Sequence, residues 1–127
     1  MKIDIREPVV IIKVEVFGEK GSRILDLVFD TGATYTIIPW KVVESLGYDP
    51  ALSRRRVPIV TTSTTETVPL ITVKAMTALG HKVEEVEVAC HDLPPKSRVD
   101  GLLGLNFLKN FDINLYLKMG LLEIKEE

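Results

Sequence analysis

Acid–base chemistry shared between two carboxylates, one ionised to take a proton and one protonated to give one, needs the two close together. The stretch best suited to hold such a group is Leu27-Val28-Phe29-Asp30-Thr31-Gly32-Ala33-Thr34, an apolar run that ends abruptly in a carboxylate, a hydroxyl and a glycine. A buried strand that hands its last apolar residue to an aspartate sets a charge where water is scarce. This costs free energy unless hydrogen bonds or a shared proton compensate. Thr31 can supply a hydroxyl, Gly32 lets the backbone bring its N–H towards the carboxylate, and Ala33 keeps the approach narrow. The pattern is that of a catalytic loop centred on Asp30.

Other reactive side chains have plainer readings. Asp100 precedes Gly101 and suits a turn. Cys90 is the one cysteine, so no internal disulfide is possible, and a reducing compartment is expected. Its neighbour His91 would point to the opposite face of a strand, so Cys90 reads as a buried structural thiol. Glu84, Glu85 and Glu87 lack ligating partners at suitable spacing and read as a wet strand face; no metal and no cofactor is expected. His81 is expected as a solvated turn residue, and Arg54-Arg55-Arg56 as a solvated loop or strand edge.

Rigid elements must position the Asp30 loop. Residues 9–17 are rich in Val and Ile, residues 18–22 turn, and residues 23–29 return as a strand expected to be covered on both faces, because only Arg23 and Asp26 are polar. A short strand at Thr36-Ile37-Ile38 leads into a helix with Pro39 at its first position and Gly47 at its exit, on which Trp40, Val43 and Leu46 share a core-facing side. Residues 57–60 and 68–75 are the arms of a hairpin around the hydroxyl-rich segment 61–67, which has no glycine. Thr resists positive φ, so a wide loop is expected there rather than a two-residue turn. A turn at residues 78–81, a strand over 82–89 with a bulge near Glu84-Glu85, a Pro-fixed loop at 91–97, a helix at 106–110 and two strands at 112–118 and 121–125 complete the chain. Roughly eight short strands and two short helices give a mostly β, closed barrel-like domain.

The segment Val99-Asp100-Gly101-Leu102-Leu103-Gly104-Leu105-Asn106-Phe107-Leu108 has an apolar, apolar, Gly pattern followed by a short helix. Together with Phe29-Asp30-Thr31-Gly32-Ala33-Thr34 it resembles the retropepsin-like aspartic proteases, the single-domain relatives of pepsin and of retroviral protease. The resemblance implies a single retropepsin-like domain over residues 1–127, with Leu102-Leu103-Gly104 crossing behind the Asp loop. It implies that Thr31 bonds across a dimer axis, that Gly32 presents its N–H to the carboxylate pair, and that Leu103 and Gly104 pack behind. Ala33 matches the retroviral pattern, which implies an optimum at mildly rather than strongly acidic pH. By position the hairpin resembles the family's flap, which would bring Thr62, Ser63, Thr64 and Thr65 to the substrate.

One Asp-Thr-Gly per chain is half of what the chemistry needs. A two-fold homodimer would place the Asp30 of each subunit across the axis, and the close pair would hold one proton between them. The expected function is that of an aspartic endopeptidase acting on an extended polypeptide bound largely by main-chain hydrogen bonds. Dimer contacts are expected at the Asp loop and, by family habit, at the chain ends, where Ile3, Ile5, Leu121, Leu122 and Ile124 need cover.

Composition bounds the alternatives. With 127 residues, 46% of them hydrophobic, the chain has the length of one domain. A formal net charge of -2 without a basic stripe, and only one Trp, three Tyr and four Phe, disfavour a nucleic-acid binder. The N-terminus alternates charged and apolar residues and no apolar run approaches membrane-spanning length, so a soluble cytoplasmic protein without membrane contacts is expected. The rival reading is a catalytically silent retropepsin-like dimerisation or peptide-binding module. The glycine-free hairpin tip favours it, and the complete Asp-Thr-Gly-Ala loop disfavours it.

Overall fold

Period-two alternation dictates the first strand: Ile12, Val14 and Val16 fall on one face and are buried, while Lys13 and Glu15 fall on the other. The computed structural model describes residues 1–4, 6, 8–60 and 63–125. Nine strands form among them: β1 (Ile11–Gly18), β2 (Gly21–Phe29), β3 (Thr36–Ile38), β4 (Arg56–Val60), β5 (Thr65–Ala78), β6 (His81–Cys90), β7 (Gly101–Leu103), β8 (Asp112–Tyr116) and β9 (Leu121–Lys125). Two short helices, α1 (Trp40–Ser45) and α2 (Leu105–Leu108), and a 3-10 turn at Pro50–Leu52 accompany them. None of the described helices is long and apolar enough to cross a membrane.

The strands β1-β2-β7-β3-β6-β5 are neighbours in that order, and β5 returns to pair with β1, which closes a six-stranded barrel. β2–β7 and β3–β6 are parallel; the other neighbours are antiparallel. The parallel pairs bring segments distant in sequence side by side, and the end of β2 thereby meets β7. Inside the barrel Val14, Leu27, Val73, Val88, Leu103 and Phe107 share one buried cluster. Each such side chain contributes on the order of 1.5–3 kcal/mol relative to exposure. A smaller cluster of Ile37, Val57, Val68, Leu70 and Ala89 fixes the base of the β4–β5 hairpin.

Several expectations are corrected by the pleat. β2 is covered on one side only: Leu25 and Leu27 point inward, whereas Ile24 is 67% exposed and Asp26 reaches Lys13 Nζ at 2.7 Å on the outer surface. A barrel has a single interior, so the opposite parity meets water unless another layer packs on it. No residue is inserted near Glu84-Glu85, because the β5–β6 register runs unshifted from Val73↔Val86 to Ala75↔Glu84. Glu85 instead takes a left-handed φ of 55°, and Val83 and Val86 both reach the main cluster. Lys74 N–H then donates to Tyr48 Oη at 2.7 Å, and that hydroxyl donates to Phe17 O at 3.0 Å.

His81 opens β6 and stacks against Phe111 with ring centroids 5.1 Å apart rather than standing free in solvent. Pro39 caps α1 from an extended conformation, one position before the helix proper, and Gly47 leaves it with φ of 101°. α2 begins at Leu105, one residue ahead of the expected start, and β8 ends at Tyr116 because the turn takes residues 117–120.

The chain ends cover one another. Met1 N–H and Leu122 N–H each donate to the other's carbonyl at 2.8 Å, and Ile3 N–H donates to Gly120 O at 2.8 Å, which adds the N-terminus to the β8–β9 hairpin as a third strand-like segment. Leu122 is buried and Ile3 packs on the main cluster, so neither awaits a partner, contrary to expectation. Ile5 lies outside the described residues.

β7 runs into α2 at Gly104, where an added Cβ would lie 2.5 Å from the carbonyl carbon of Tyr35 and 2.8 Å from the nitrogen of Thr36. Backbone cannot yield as a flexible side chain does, so Gly104→Ala is expected to lower stability by about 3 kcal/mol or more in urea denaturation. Gly80→Ala, with φ of 79° but open space around it, is expected to cost only about 1–2 kcal/mol. Equal losses at the two positions would overturn the packing explanation.

Candidate active site

Asp30 follows the last residue of β2, where the parallel pairing Phe29↔Leu103 ends. Phe29 N–H donates to Val10 O at 2.8 Å and Asp30 N–H to Leu103 O at 3.1 Å, so the backbone is held from both sides as it leaves the sheet. The chain then turns: Ala33 N–H donates back to Asp30 O at 3.2 Å, and Gly32 N–H donates to the Asp30 carboxylate, Oδ1, at 2.9 Å. A Cβ on residue 32 would stand 3.2 Å from that same oxygen, tighter than ordinary contact. Glycine thus leaves the carboxylate its amide donor without crowding it. Asp30 is half-buried, with Thr31 and Gly32 exposed at the crest of the loop and Ala33 half-buried behind.

The loop is tied down from behind by α2. Leu105 N–H donates to Ala33 O at 2.8 Å and Asn106 N–H to Thr34 O at 3.2 Å, so the first amides of a helix, which have no partner within it, satisfy the loop's carbonyls. Leu103 is fully buried and Gly104 sits against the Tyr35–Thr36 peptide.

Beneath lies a network that pattern reading passed over. Thr36 is completely buried, and its Oγ1 accepts from Gly104 N–H at 3.1 Å. Both Thr36 N–H and its hydroxyl donate to Asn106 Oδ1, at 2.9 and 3.0 Å, while Asn106 Nδ2 donates to Glu87 O. Three segments distant in sequence are joined by one amide side chain. The signal was a polar pair in apolar surroundings: Thr36 opens a strand whose other members are isoleucines, and Asn106 stands among Leu105, Phe107 and Leu108.

A cavity of about 240 Å³ opens over Asp30, lined by Gly32, Ala33, Thr34, Tyr35, Ile37 and Leu102 on the barrel side and by Pro58, Ile59 and Val60 of β4 on the other. Ile37, Ile59, Val60 and Leu102 are shared with a second cavity of about 760 Å³. That second space extends to Ser63, Thr64 and Glu66 of the hairpin and to the loop His91-Asp92-Leu93-Pro94-Pro95. Together they form a cleft between the Asp30 loop and the hairpin, largely apolar along its floor. Tyr35, Ile37 and the 91–95 loop were not singled out from sequence, because their role depends on the parallel β3–β6 pairing that lays them side by side.

Val60 and Thr65 form the last pair of the hairpin ladder, and the expected wide loop beyond them takes in Thr61 and Thr62, which lie outside the described residues. Ser63 and Thr64 line the larger cavity, Thr65 is an exposed strand residue, and Thr62 lies outside the described residues.

The remaining reactive groups are accounted for by structure. Asp100 Oδ2 accepts from Asp26 N–H at 2.9 Å and Asp100 N–H donates to Asp26 O at 2.8 Å, which extends the β2–β7 contact by a side-chain clamp. Cys90 is fully buried at the end of β6; burial, and secondarily the nearby Asp92 charge, push its thiol up to about 12, so it stays neutral and unreactive. Arg55 is paired with Glu87. Among the described residues no group of three His, Cys, Asp or Glu side chains is placed to hold a metal ion.

No curated protein matches the sequence. Among solved structures the fold is similar to that of a retropepsin-like aspartic protease from Rickettsia conorii, with a TM-score of 0.67 over 91% of this chain and 82% of that chain at 16% sequence identity. A family model described as aspartyl protease matches residues 12–107, which takes in the Asp30 loop, the hairpin, β7 and most of α2. On that match the chain belongs to the aspartyl protease family, and its fold is retropepsin-like.

Proposed function

We propose that the protein is an aspartic endopeptidase, formed as a two-fold homodimer of single domains spanning residues 1–127, in which the two Asp30 carboxylates activate water. The observation that carries this reading is the Asp30 carboxylate itself, half-buried at the floor of a cleft, with the Gly32 amide bonded to it at 2.9 Å. In the reaction, one carboxylate removes a proton from the water as its oxygen attacks the peptide carbonyl, and the protonated partner gives its proton to the carbonyl oxygen. Collapse of the tetrahedral intermediate breaks the C–N bond and sends a proton to the departing amine. Thr31, Gly32 and Ala33 shape the loop, and Leu103 and Gly104 brace it. Ser63, Thr64 and Thr65 stand where an extended polypeptide crossing the cleft would meet the hairpin.

The dimer reading has a second support. Leu117 and Met119, in the turn between β8 and β9, are 61% and 71% exposed, and Leu115 and Tyr116 beside them on β8 are also exposed. β8 is an edge strand whose described neighbour is β9, and an uncovered apolar edge of this kind invites pairing with another chain. A second copy would cover it and supply the second carboxylate.

Asp30→Asn is expected to lower cleavage of a diverse peptide mixture at mildly acidic pH by at least about a thousandfold without changing dimer content in light scattering. Loss of no activity would refute the assignment. No cleavage by a verified wild-type dimer would move the reading to the silent peptide-binding module. Asp100→Asn should keep activity, since an amide oxygen can still accept from Asp26 N–H, at a stability cost of about 1 kcal/mol or less. An inactive, folded Asp100→Asn dimer would place the second carboxylate there instead. For the interface, Leu117→Lys with Met119→Lys is expected to give a folded monomer with cleavage reduced at least about a hundredfold; a fully active dimer would exclude this edge.

A further inference from the structure

The larger of the two cavities in the cleft, about 760 Å³, has a chemistry of its own. The cross-strand pair Ile37↔Leu102 lines both it and the smaller cavity over Asp30, so a polypeptide residue seated near Asp30 can send its side chain into the larger space. Ile59 is paired directly with Glu66 in the β4–β5 ladder, and directly paired residues project to the same face of a sheet. Ile59 lines both cavities, so Glu66 stands on the cleft side of the hairpin. A second carboxylate in the lining, Asp92, comes from the loop after β6, where its Oδ1 accepts from Trp40 N–H at 3.0 Å and is held in place.

No lysine or arginine lines this cavity, and among the described residues neither carboxylate is paired with one. His91 Nε2 lies 3.7 Å from Glu66 Oε2, beyond hydrogen-bond distance, and the Glu66 side chain stays 47% exposed. The rest of the lining is apolar or hydroxyl-bearing. An apolar trough that carries two carboxylates from separate elements, with neither Lys nor Arg to meet them, is the complement of a long aliphatic stem that ends in a positive charge.

We propose that this cavity is a subsite for a lysine or arginine side chain of the bound polypeptide, with Glu66 and Asp92 as the residues that select it. The stem lies along Ile37, Ile59 and Leu102, and the ammonium or guanidinium stays beside the two carboxylates, where each N–H bond to oxygen is charge-assisted. An uncharged side chain of the same length gains the apolar contact alone, and an acidic one is repelled. The subsite rests on the reading of the cleft as one that binds polypeptide, but not on turnover, because selection by charge shows in binding.

Short fluorescein-labelled peptides of randomised apolar sequence, each with a single lysine, arginine, glutamine or glutamate walked through its positions, test this at one fixed pH and low salt. Binding is read by anisotropy with the Asp30→Asn protein and cleavage as kcat/KM with the wild type. At one position the basic peptide is expected to bind, and to be cut, about five- to twentyfold better than its glutamine counterpart, as suits partly exposed charge-assisted contacts. In both backgrounds that ratio should fall towards one in the Glu66→Gln, Asp92→Asn double variant, shift towards the glutamate peptide in Glu66→Lys, and shrink in about 0.5 M salt. The shift towards glutamate is a readout that a loosened hairpin does not produce. Binding to Asp30→Asn without regard to charge, no binding at all, or a basic preference that survives removal of both carboxylates would overturn the subsite, even where the wild type cuts peptides. Basic-selective binding that is lost in the double variant, with no cleavage by the wild type, would support the subsite and sink the endopeptidase.

Discussion

The approach of Gly104 to the Tyr35–Thr36 peptide is the constraint on which the cleft depends. Two stretches of backbone pass so close that no side chain fits between them. Such an approach is possible only where one chain carries a glycine, and it fixes the relative height of β3 and β7. From that contact the other features follow. α2 starts at the right place for its first amides to meet Ala33 O and Thr34 O, Leu103 O meets Asp30 N–H, and the Thr36 hydroxyl meets Gly104 N–H. The Asp30 loop is thus held chiefly by main-chain bonds, which depend on position rather than on side-chain identity.

Asn106 shows how such a scaffold satisfies its polar groups. A buried threonine with an unmet hydroxyl or amide costs about 1–3 kcal/mol, and here a single carboxamide takes both donors of Thr36 and returns a donor to Glu87 O. Networks of this kind specify one arrangement, because any shift of α2 against β3 or β6 breaks several bonds together. Asp100 acts alike at the other end of β7, clamping Asp26 from outside the ladder. Of the acidic residues near the two motifs, Asp26 and Asp100 are therefore engaged in the architecture, and the carboxylate left facing the cleft is Asp30.

The Asp30 loop and the glycine of Leu102-Leu103-Gly104 were legible in the sequence because each is a local departure from pattern: a charge closing an apolar run, and a glycine closing another. The two arms of the hairpin were legible too, as extended runs on either side of a hydroxyl-rich segment. What escaped was set by partners far along the chain. Thr36 and Asn106 are unremarkable singly, and only the parallel β3–β6 and antiparallel β3–β7 pairings bring them together. The outward face of β2 was misjudged because Ile24 and Val28 read as apolar without saying which side of a closed barrel they occupy. Likewise, Ile3 and Leu122 are apolar residues on terminal strands, but they are covered by each other's segments and by the core rather than left for another chain.

The two walls of the cleft are built differently. The Asp30 wall is bonded to β7, α2 and β1 through main-chain contacts, so moving the carboxylate requires breaking several of them at once. The opposite wall is β4, an edge strand whose ladder partner is β5 and whose apolar anchorage lies at its base. Many supports on the wall that carries Asp30 and few on the wall of β4 is the division that the proposed peptide cleavage would call for, since a site rigid on both walls would not fill or empty.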